Sequence, residues 1–265
     1  MQCITFDRYI EGFHLLSEYS EEYPFMLRYF LDVSQKNFPA GFSLLDIGAG
    51  TGHFTRQILK ESRVPVRSYT AIEPSADHVR HLEGNLRDLS VKRMIIPEFF
   101  TPRTDLKTKF DLILLSHSTY CFLPDPEPFL LHAFSFLNPG GKAVIYNGTP
   151  STFCYLLNLL HKDILPMERV TNPFFTSWQI RDILEKNQIP HSVTYLSGYL
   201  RGVEVFRPEN ESLMNELITF SLMVEAESLD PGLLARTREF LREISYPSSD
   251  GLLLNLGVDA ILVEP

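Results

Sequence analysis

The 265-residue sequence lacks an excess of basic side chains and has no run rich in lysine or arginine. It contains 24 lysines and arginines against 33 aspartates and glutamates, which gives a formal net charge of −9. A surface that binds nucleic acid needs clustered basic side chains to displace the counterions around the phosphates. We therefore expect no nucleic-acid partner, and the charge favours neutral or cationic small molecules.

Paired cysteines and long apolar runs are also absent. Cys3, Cys121 and Cys154 are widely spaced and form no CxxC motif, so we expect neither a metal site nor a redox disulfide. No run of about 18 apolar residues occurs, and the residues after Met1 do not have the basic and then apolar order of a signal peptide. We therefore expect a soluble cytoplasmic protein with no membrane partner.

Short apolar runs alternate with helical periodicity through the middle of the chain, a pattern typical of βα units around a parallel sheet. Each run ends where a glycine, proline, serine or acidic residue begins a loop. The predicted strands are Ser43–Ile47, Ser68–Ile72, Arg93–Ile96, Phe110–Leu115 and Lys142–Tyr146. The predicted helices between them are His53–Glu61, Ser75–Leu86 and Pro126–Phe136. Leu137 to Gly141, an LNPGG segment, should end the third helix and turn into the next strand.

Both ends of the chain differ from this central pattern. Two aromatic helices, Phe6–Tyr19 and Glu21–Val33, are predicted before the first strand. The later predicted elements are helices Thr152–Lys162 and Ser177–Asn187, strand His191–Leu196, helices Asn210–Glu225 and Pro231–Ile244, and a last strand in Leu252–Val263. A terminal strand that is apolar on both faces fits a seven-stranded sheet whose last strand is antiparallel. We predict a single domain over 1–265, with an N-terminal helical region at 1–36 and a helical insertion at 199–250.

The most informative segment is an apolar strand that runs into a glycine-rich loop, Leu44 to Phe54 with the sequence LLDIGAGTGHF. Glycines at 48, 50 and 52 allow positive φ and let a ligand lie against the loop amides, while the next helix packs close to the strand. A dinucleotide fingerprint has the spacing GxGxxG. Here the third glycine comes one residue earlier, which counts against NAD.

An acidic residue, Glu73, ends the second predicted strand in the sequence AIEPS. A carboxylate at that position can accept both hydroxyls of a ribose. The DxGxGxG loop, this acid and the LNPGG turn together resemble the S-adenosylmethionine-binding core of class I methyltransferases. The resemblance implies S-adenosylmethionine as cofactor, bound by Asp46, Gly48, Ala49, Gly50, Gly52, Glu73, Pro74 and Ser75. It also implies an α/β, Rossmann-like fold, with a seven-stranded, mostly parallel sheet and helices on both faces.

The same register gives roles to four further residues. Thr101 lies where a polar side chain would meet the adenine amine, although an ordinary loop threonine is an equal alternative. Ser116 and His117 would border the methionine part of the cofactor, and His117 is either a general base or only a wall of the pocket. His78 would touch the edge of the cofactor. His78 and His81 are spaced i, i+3 without a third ligand, so we expect no metal there.

Outside the core, a narrower set of segments is similar to histamine N-methyltransferase. These segments are YIEGF from Tyr9, the acid Glu22, EPSA from Glu73, YCFL from Tyr120 with Asp125, FFTS from Phe174, and GLLLN from Gly251 leading to AILVE from Ala260. The resemblance runs from about residue 9 to the C-terminus. It implies that regions 1–36 and 199–250 form a substrate lid that closes an amine pocket.

In that family the amine pocket is aromatic and acidic, so five residues become candidates for acceptor binding. Tyr9 and Phe13 would supply aromatic walls, Phe153 an aromatic plate and Glu22 the carboxylate that receives the ammonium. Tyr120 would complete the set. Tyr9 and Phe13 are four residues apart and are equally well interpreted as core, and Glu22 as a solvated or capping carboxylate.

The sequence departs from the histamine N-methyltransferase pattern at two positions. The expected glutamine after the fourth strand aligns with Ser118, and the expected amide near the last strand falls on Leu256. Asn255 is one residue too early, which reverses its face on a strand unless a bulge intervenes. Histamine itself is therefore in doubt as the acceptor.

These resemblances imply methyl transfer from S-adenosylmethionine to a small-molecule acceptor, a cationic amine or an imidazole nitrogen, by direct in-line displacement. Glu22, His117 or Asn255 would orient the acceptor or receive its proton. The alternatives are a methyltransferase for another acceptor (a natural product, a small-molecule oxygen or a protein) and a module that binds the cofactor without catalysis. A nicotinamide dehydrogenase is a distant alternative. We expect a monomer or a weak dimer.

Overall fold

The computed structural model describes residues 1–166, 169–202, 205–249 and 251–265. Its helices are α1 (Phe6–Tyr19), α2 (Tyr23–Asn37), α3 (His53–Glu61), α4 (Ala76–Leu86), α5 (Pro126–Phe134), α6 (Phe153–Leu160), α7 (Ser177–Lys186), α8 (Glu211–Leu222) and α9 (Pro231–Glu243). Its strands are β1 (Phe42–Ile47), β2 (Val66–Ile72), β3 (Arg93–Ile96), β4 (Phe110–Ser116), β5 (Leu137–Gly148), β6 (His191–Leu196), β7 (Tyr199–Arg201), β8 (Tyr246–Ser248), β9 (Gly251–Asn255) and β10 (Val258–Val263). No helix in the described ranges is both long and apolar enough to cross a bilayer.

The chain divides into two compact units. Unit 1 comprises Met1–Glu22, Gly148–Trp178 and Ser197–Val258, and unit 2 comprises Tyr23–Asn147, Gln179–Leu196 and Asp259–Pro265. Each unit therefore contains three separate segments of the sequence.

Unit 2 contains the predicted sheet. Seven described strands are ordered β3-β2-β1-β4-β5-β10-β6, and the pairs β1–β2, β1–β4, β2–β3 and β4–β5 are parallel. Apolar side chains on the central strands, among them Leu44, Leu45, Leu112 and Ile113, are fully buried. Strands covered on both faces are apolar along their whole length, which is why the sequence made them easy to identify. The seven-stranded, mostly parallel fold is thus confirmed.

The predicted turn at Leu137 to Gly141 is wrong as a boundary, because β5 already begins at Leu137. Leu137 pairs with Phe110, and the pairing resumes at Lys142 with Leu112 after a register shift. Five residues on β5 are therefore accommodated against two steps of β4, with Gly140 at a φ of +76°. The LNPGG segment is an irregularity within the strand.

Unit 1 is built from helices around a small antiparallel sheet. The described strands β7, β9 and β8 pair in that order, and α1, α6, α8 and α9 contribute to one apolar cluster. The cluster's fully buried members include Leu157, Ile218, Leu222, Leu241 and Leu254. The 199–250 segment is therefore not purely helical as predicted, since β7 and β8 lie at its two ends. Val203, Glu204 and Asp250 fall outside the described residues.

The last apolar segment, Leu252–Val263, is not a single strand as predicted. It is divided between β9 in unit 1 and β10 in the seven-stranded sheet. The interruption lies at Leu256 and Gly257, whose backbone amides donate to the Gly198 carbonyl and to Asn255 Oδ1. These bonds replace the ladder bonds that a continuous strand would make.

The second helix begins later than predicted, at Tyr23 instead of Glu21. Ser20 forms a β-bridge with Leu200, and the Glu21 amide donates to the Tyr199 carbonyl at 2.9 Å. Residues 20 and 21 are therefore held in extended pairing, which is incompatible with helical backbone.

Candidate functional site

The glycine loop joins β1 to α3 at the carboxyl end of the sheet. Gly48, Gly50 and Gly52 all have positive φ, at +77°, +56° and +72°. A Cβ at residue 48 would lie 2.4 Å from Ser118 Cβ, and a Cβ at residue 52 would lie 2.1 Å from Leu82 Cδ1. At residue 50 a Cβ would meet no described atom within 4 Å. Gly48 and Gly52 are thus required by packing within the protein, whereas Gly50 borders open space where a ligand can lie.

The loop amides are bonded within the protein, unlike the expectation that a ligand lies against them. The amides of Gly48 and Ala49 donate to the Ile72 carbonyl at 2.9 and 3.2 Å, and the Gly50 amide donates to Glu73 Oε2 at 2.8 Å. Three successive amides therefore fasten the loop to the end of β2. A ligand at this place would meet the open side of Gly50.

Glu73 is the acidic residue at the end of β2 and is only 4% exposed. Its Oε1 accepts from the Ser75 amide at 2.9 Å and lies 3.3 Å from His78 Nδ1. Ser75 also caps α4, accepting from the His78 amide at 3.3 Å. The carboxylate is therefore held in a fixed orientation by the two loops that meet around it, and Pro74 lies between Glu73 and Ser75 in sequence.

Asp46 is the penultimate residue of β1, just before the glycine loop, and is 2% exposed. Its Oδ2 accepts from the Thr55 hydroxyl at 2.5 Å and from the Tyr69 hydroxyl at 3.0 Å. Burial raises the pKa of Asp46 to about 6, against the lowering effect of these two hydrogen bonds. The described contacts of this carboxylate are therefore with α3 and β2, not with an open surface.

The end of β4 carries the next predicted residues. Ser116 is the last residue of the strand and pairs with Tyr146. His117 has a φ of +51°, uncommon for a residue with a side chain, and its amide donates to the Tyr146 carbonyl at 3.0 Å. Its Nδ1 is hydrogen-bonded to the Tyr120 hydroxyl, and the two rings are stacked with centroids 6.2 Å apart. The structure thus brings His117 and Tyr120 together as one pair.

Thr101 occupies a tight turn. Its hydroxyl accepts from the Arg103 amide at 3.2 Å, and its own amide donates to the Thr104 hydroxyl at 2.9 Å. These contacts agree with the alternative of an ordinary loop threonine. The hydroxyl can still donate a hydrogen bond, so the adenine role stays a prediction.

In unit 1, three predicted aromatic residues pack into the apolar cluster. Tyr9 stacks on Phe220 with centroids 5.0 Å apart, and Phe13 lies 6.4 Å from the same ring. Phe153 is 1% exposed. Phe153 lies in the core, although the sequence predicted it only as an aromatic plate. Tyr9 and Phe13, for which core was the stated alternative, are half-buried and pack on Phe220, which the sequence analysis did not identify.

Glu22 is buried, 3% exposed, so the solvated alternative for this carboxylate is wrong. Its amide donates to the Ser20 hydroxyl at 3.3 Å, and a Cβ added at Gly198 would lie 2.8 Å from Glu22 Cβ. Burial raises the pKa of the Cys154 thiol to about 12, and the charge of Glu22 contributes in the same direction. Glu22 thus lies inside unit 1, near the start of α6.

Asn255 uses its whole amide group in local contacts. Nδ2 donates to the carbonyl and to the hydroxyl of Ser151, each at 3.0 Å, and Oδ1 accepts from the Gly257 amide at 2.9 Å. The amide fastens the 151 loop to the point where β9 ends. This geometry gives the predicted role in orienting an acceptor no support.

Two residues that the sequence analysis missed, Thr55 and Tyr69, contact Asp46. A tyrosine within an otherwise apolar strand was the available signal for Tyr69, because a buried hydroxyl needs a partner. Thr55 gave no such signal. No group of three or more metal-ligating side chains occurs among the residues described, and His81 is exposed beside Asp77.

Residues 45–143 match the family described as a methyltransferase domain. A malonyl-[acyl-carrier protein] O-methyltransferase 2 from Ilyobacter polytropus is 24% identical over 144 residues, 54% of this chain and 53% of that protein. The polyketide synthase component of lovastatin nonaketide synthase from Aspergillus terreus is 32% identical over 111 residues, 38% of this chain and 4% of the synthase. The chain thus spans about half of one relative's length and a small part of the other's.

Two solved structures share the fold at low sequence identity. The YcgJ protein of Bacillus subtilis has a TM-score of 0.56 at 14% identity and covers 90% of this chain and 97% of its own. N-methyltransferase NodS from Bradyrhizobium japonicum, in complex with S-adenosyl-L-homocysteine, has a TM-score of 0.51 at 12% identity and covers 92% and 90%. The seven-stranded sheet accordingly has a Rossmann-like methyltransferase fold, and residues 45–143 match the methyltransferase-domain family without covering the rest of the chain.

Proposed function

We propose that this chain is an S-adenosylmethionine-dependent methyltransferase that methylates a small amine or imidazole nitrogen. The observation that carries the proposal is that the Gly50 amide, beside open space, is hydrogen-bonded to the Glu73 carboxylate. These residues lie at the ends of adjacent parallel strands, where ligands of open α/β sheets bind. Asp46, Gly48 and Gly52 support that geometry from within the protein.

The residues fit the cofactor. Gly50 leaves open the space that a Cβ would fill, and Glu73 presents a carboxylate whose two oxygens are already oriented by the Gly50 and Ser75 amides. A carboxylate oxygen has more than one lone pair, so each can still accept from a ribose hydroxyl. Support also comes from NodS, which was crystallised with S-adenosyl-L-homocysteine.

S-adenosylmethionine supplies an electrophilic methyl group on a sulfonium. Glu73 would accept hydrogen bonds from the ribose, and the glycine loop would keep its conformation when the cofactor binds. His117, held by the Tyr120 hydroxyl, would receive the proton that the acceptor nitrogen releases, directly or through water. Alignment of the reacting groups and exclusion of water would account for the rest of the rate.

A cationic amine is the acceptor class that unit 1 supports best. Glu22 is a buried carboxylate, and Tyr9 and Phe13 present half-buried aromatic rings on helix α1. A buried carboxylate is stabilised by an ammonium, and aromatic faces attract cations. The similarity of the segments around these residues to histamine N-methyltransferase supports the same class. Phe153 is buried in the core, Tyr120 is hydrogen-bonded to His117, and Asn255 is hydrogen-bonded to Ser151. These three residues therefore give the amine class less support.

Methylation of an acyl or natural-product acceptor is the second candidate. It is favoured by the names of two relatives, a malonyl-[acyl-carrier protein] O-methyltransferase and a polyketide synthase component. Both matches cover only part of those proteins, so the acceptors in their names are carried to this chain only as a proposal.

The purified chain should be incubated with methyl-labelled S-adenosylmethionine and a panel of amines, imidazoles and malonyl thioesters. We expect label on a member of the amine and imidazole group. Label on a malonyl thioester alone would replace the first candidate by the second. Absence of transfer to every acceptor, together with tight cofactor binding, would favour the module that binds without catalysis.

Glu22→Gln should raise the KM for a cationic amine about 10-fold or more, because the substitution removes the charge and keeps the shape. The value of kcat should change less, since the lost contact is made in the ground state as well. Glu21→Gln is the matched control, because Glu21 is exposed and pairs with Arg201 at 3.3 Å. Equal effects of the two substitutions would remove Glu22 from the amine site.

A further inference from the structure

Asp46, Thr55 and Tyr69 form a buried hydrogen-bonded network beside the glycine loop. The two hydroxyls donate to the same oxygen of Asp46, and the three residues are 0–2% exposed. Thr55 comes from α3, which follows the glycine loop, and Tyr69 from β2, which ends at Glu73. One carboxylate thus fastens together the three elements that position Gly50 and Glu73.

The network is costly in its ionised form. Burial, with a smaller contribution from the nearby charge of Glu73, raises the pKa of Asp46 to about 6. A neutral residue of similar shape would avoid this cost. Charge-assisted hydrogen bonds are roughly twice as strong as neutral ones, so the ionised carboxylate holds both hydroxyls more firmly than a protonated one would.

We propose that Thr55 and Tyr69 are positioning residues that act through the ionised Asp46 carboxylate to hold the glycine loop and Glu73 in the arrangement that binds the cofactor. Protonation of Asp46 weakens both hydrogen bonds and loosens the loop, so cofactor affinity falls in mild acid. This inference rests on the proposed cofactor. It adds to the cofactor site two residues, Thr55 and Tyr69, that contact the Asp46 carboxylate and not the ligand.

The surroundings of Asp46 contain few other charges that could produce such a response. The facing titratable groups are Tyr69 on β2 and Glu73 directly after β2, and on α3 the facing group is the uncharged Thr55. On the other side, Asp46 is in register with Leu114 of β4, which is apolar. Burial raises the pKa of Tyr69 well above its usual value, so this hydroxyl stays protonated near neutral pH.

The test is calorimetric titration of the full chain with S-adenosyl-L-homocysteine between pH 5 and pH 8. For the native sequence we expect the affinity to fall several-fold as the pH decreases through about 6. Tyr69→Phe and Thr55→Val should each weaken binding about 5-fold or more at pH 7.5. Thr55→Ser, which keeps the hydroxyl, should restore most of the affinity.

Asp46→Asn separates positioning from folding. It should bind more weakly at pH 7.5 and show a flat affinity between pH 5 and pH 8, because the titrating group is gone. Tyr146→Phe is the matched control, since Tyr146 is equally buried in unit 2 but donates to the Met26 carbonyl at 2.7 Å. We expect it to bind like the native chain.

Three outcomes would overturn the inference. These are native affinity in Tyr69→Phe, a loss in Tyr146→Phe as large as in Tyr69→Phe, and a pH dependence that persists in Asp46→Asn. Failure of the native chain to bind S-adenosyl-L-homocysteine at any pH would instead reject the proposed function. Hydrogen exchange at the amides of residues 48–52 gives a second readout, which should become faster in Tyr69→Phe.

Discussion

The three glycines of the glycine loop have different surroundings, although they occupy equivalent positions in the sequence motif. Gly48 and Gly52 are fixed by contact with Ser118 and Leu82, while Gly50 borders open space. The spacing alone predicted a loop with positive φ, and all three glycines have it. It could not distinguish the glycine that faces a ligand from those that face the protein, because that depends on side chains distant in sequence.

Gly50→Ala should therefore mainly weaken cofactor binding, whereas Gly52→Ala should mainly lower the stability of the fold. Alanine at 52 carries the cost of a left-handed backbone, about 1–2 kcal/mol, and must also displace the buried Leu82, at about 1–3 kcal/mol, so the free energy of unfolding should fall by about 2–5 kcal/mol. Alanine at 50 carries only the cost of a left-handed backbone, about 1–2 kcal/mol, but its methyl group enters the cofactor space. Thermal unfolding and titration with S-adenosyl-L-homocysteine measure the two effects. A native affinity in Gly50→Ala would contradict the assignment of the open side.

Asp46 should make the stability of the protein depend on pH in a specific direction. Its folded-state pKa of about 6 lies above the ordinary aspartate value of 3.8, so the folded chain holds its proton more tightly than the unfolded chain. This group's contribution to the unfolding free energy therefore falls as the pH rises from about 4 to about 6, by roughly 3 kcal/mol at most. Asp46→Asn should unfold at a higher temperature than the native chain at pH 7.5. A lower temperature would show that the carboxylate is a net stabiliser.

At the scale of elements, the strands of the central sheet were predicted well because burial on both faces makes them continuously apolar. The errors lie where contacts distant in sequence decide the backbone. The Leu252–Val263 segment is apolar throughout, yet bonds to Gly198 and Asn255 divide it into β9 and β10. Likewise, pairing of Glu21 with Tyr199 delays the start of α2. No local pattern contains that information.

Helix α1 packs closely on α8 at Gly12, which gives a test of the packing in unit 1. A Cβ at Gly12 would lie 2.9 Å from Phe220 Cβ, so Gly12→Ala should destabilise the protein by about 1–3 kcal/mol. Gly84→Ala is the matched control, because Gly84 is also within a helix and a Cβ there meets no described atom within 4 Å. It should stabilise by about 0.5–1 kcal/mol. Equal effects in thermal unfolding would contradict the close approach of α1 and α8.

At the scale of the whole molecule, the predicted cofactor residues and acceptor residues fall largely into different units. The glycine loop, Glu73, His78, Thr101, Ser116 and His117 belong to unit 2, and Tyr9, Phe13, Glu22, Phe153 and Asn255 belong to unit 1. Short motifs with strict backbone requirements made the first group visible in sequence. The second group has no such motif, since an aromatic residue in a core and one in a pocket obey the same helical spacing.

The net charge of −9 is distributed mainly over residues without a role in either group. Glu73 and Glu22 are buried, whereas acids such as Glu61, Glu83 and Glu239 are exposed. The acidity is compatible with a cationic methyl donor and a cationic acceptor. We still expect no nucleic-acid substrate, because the sequence has no run rich in lysine or arginine.

The most direct measurement is calorimetric titration of the native chain and of Glu73→Ala with S-adenosyl-L-homocysteine and, separately, with NADH. We predict micromolar binding of S-adenosyl-L-homocysteine by the native chain, loss of about 10-fold or more in Glu73→Ala because the ribose acceptor is removed, and no binding of NADH. Binding of NADH in place of S-adenosyl-L-homocysteine, or unchanged affinity in Glu73→Ala, would contradict the proposed cofactor site.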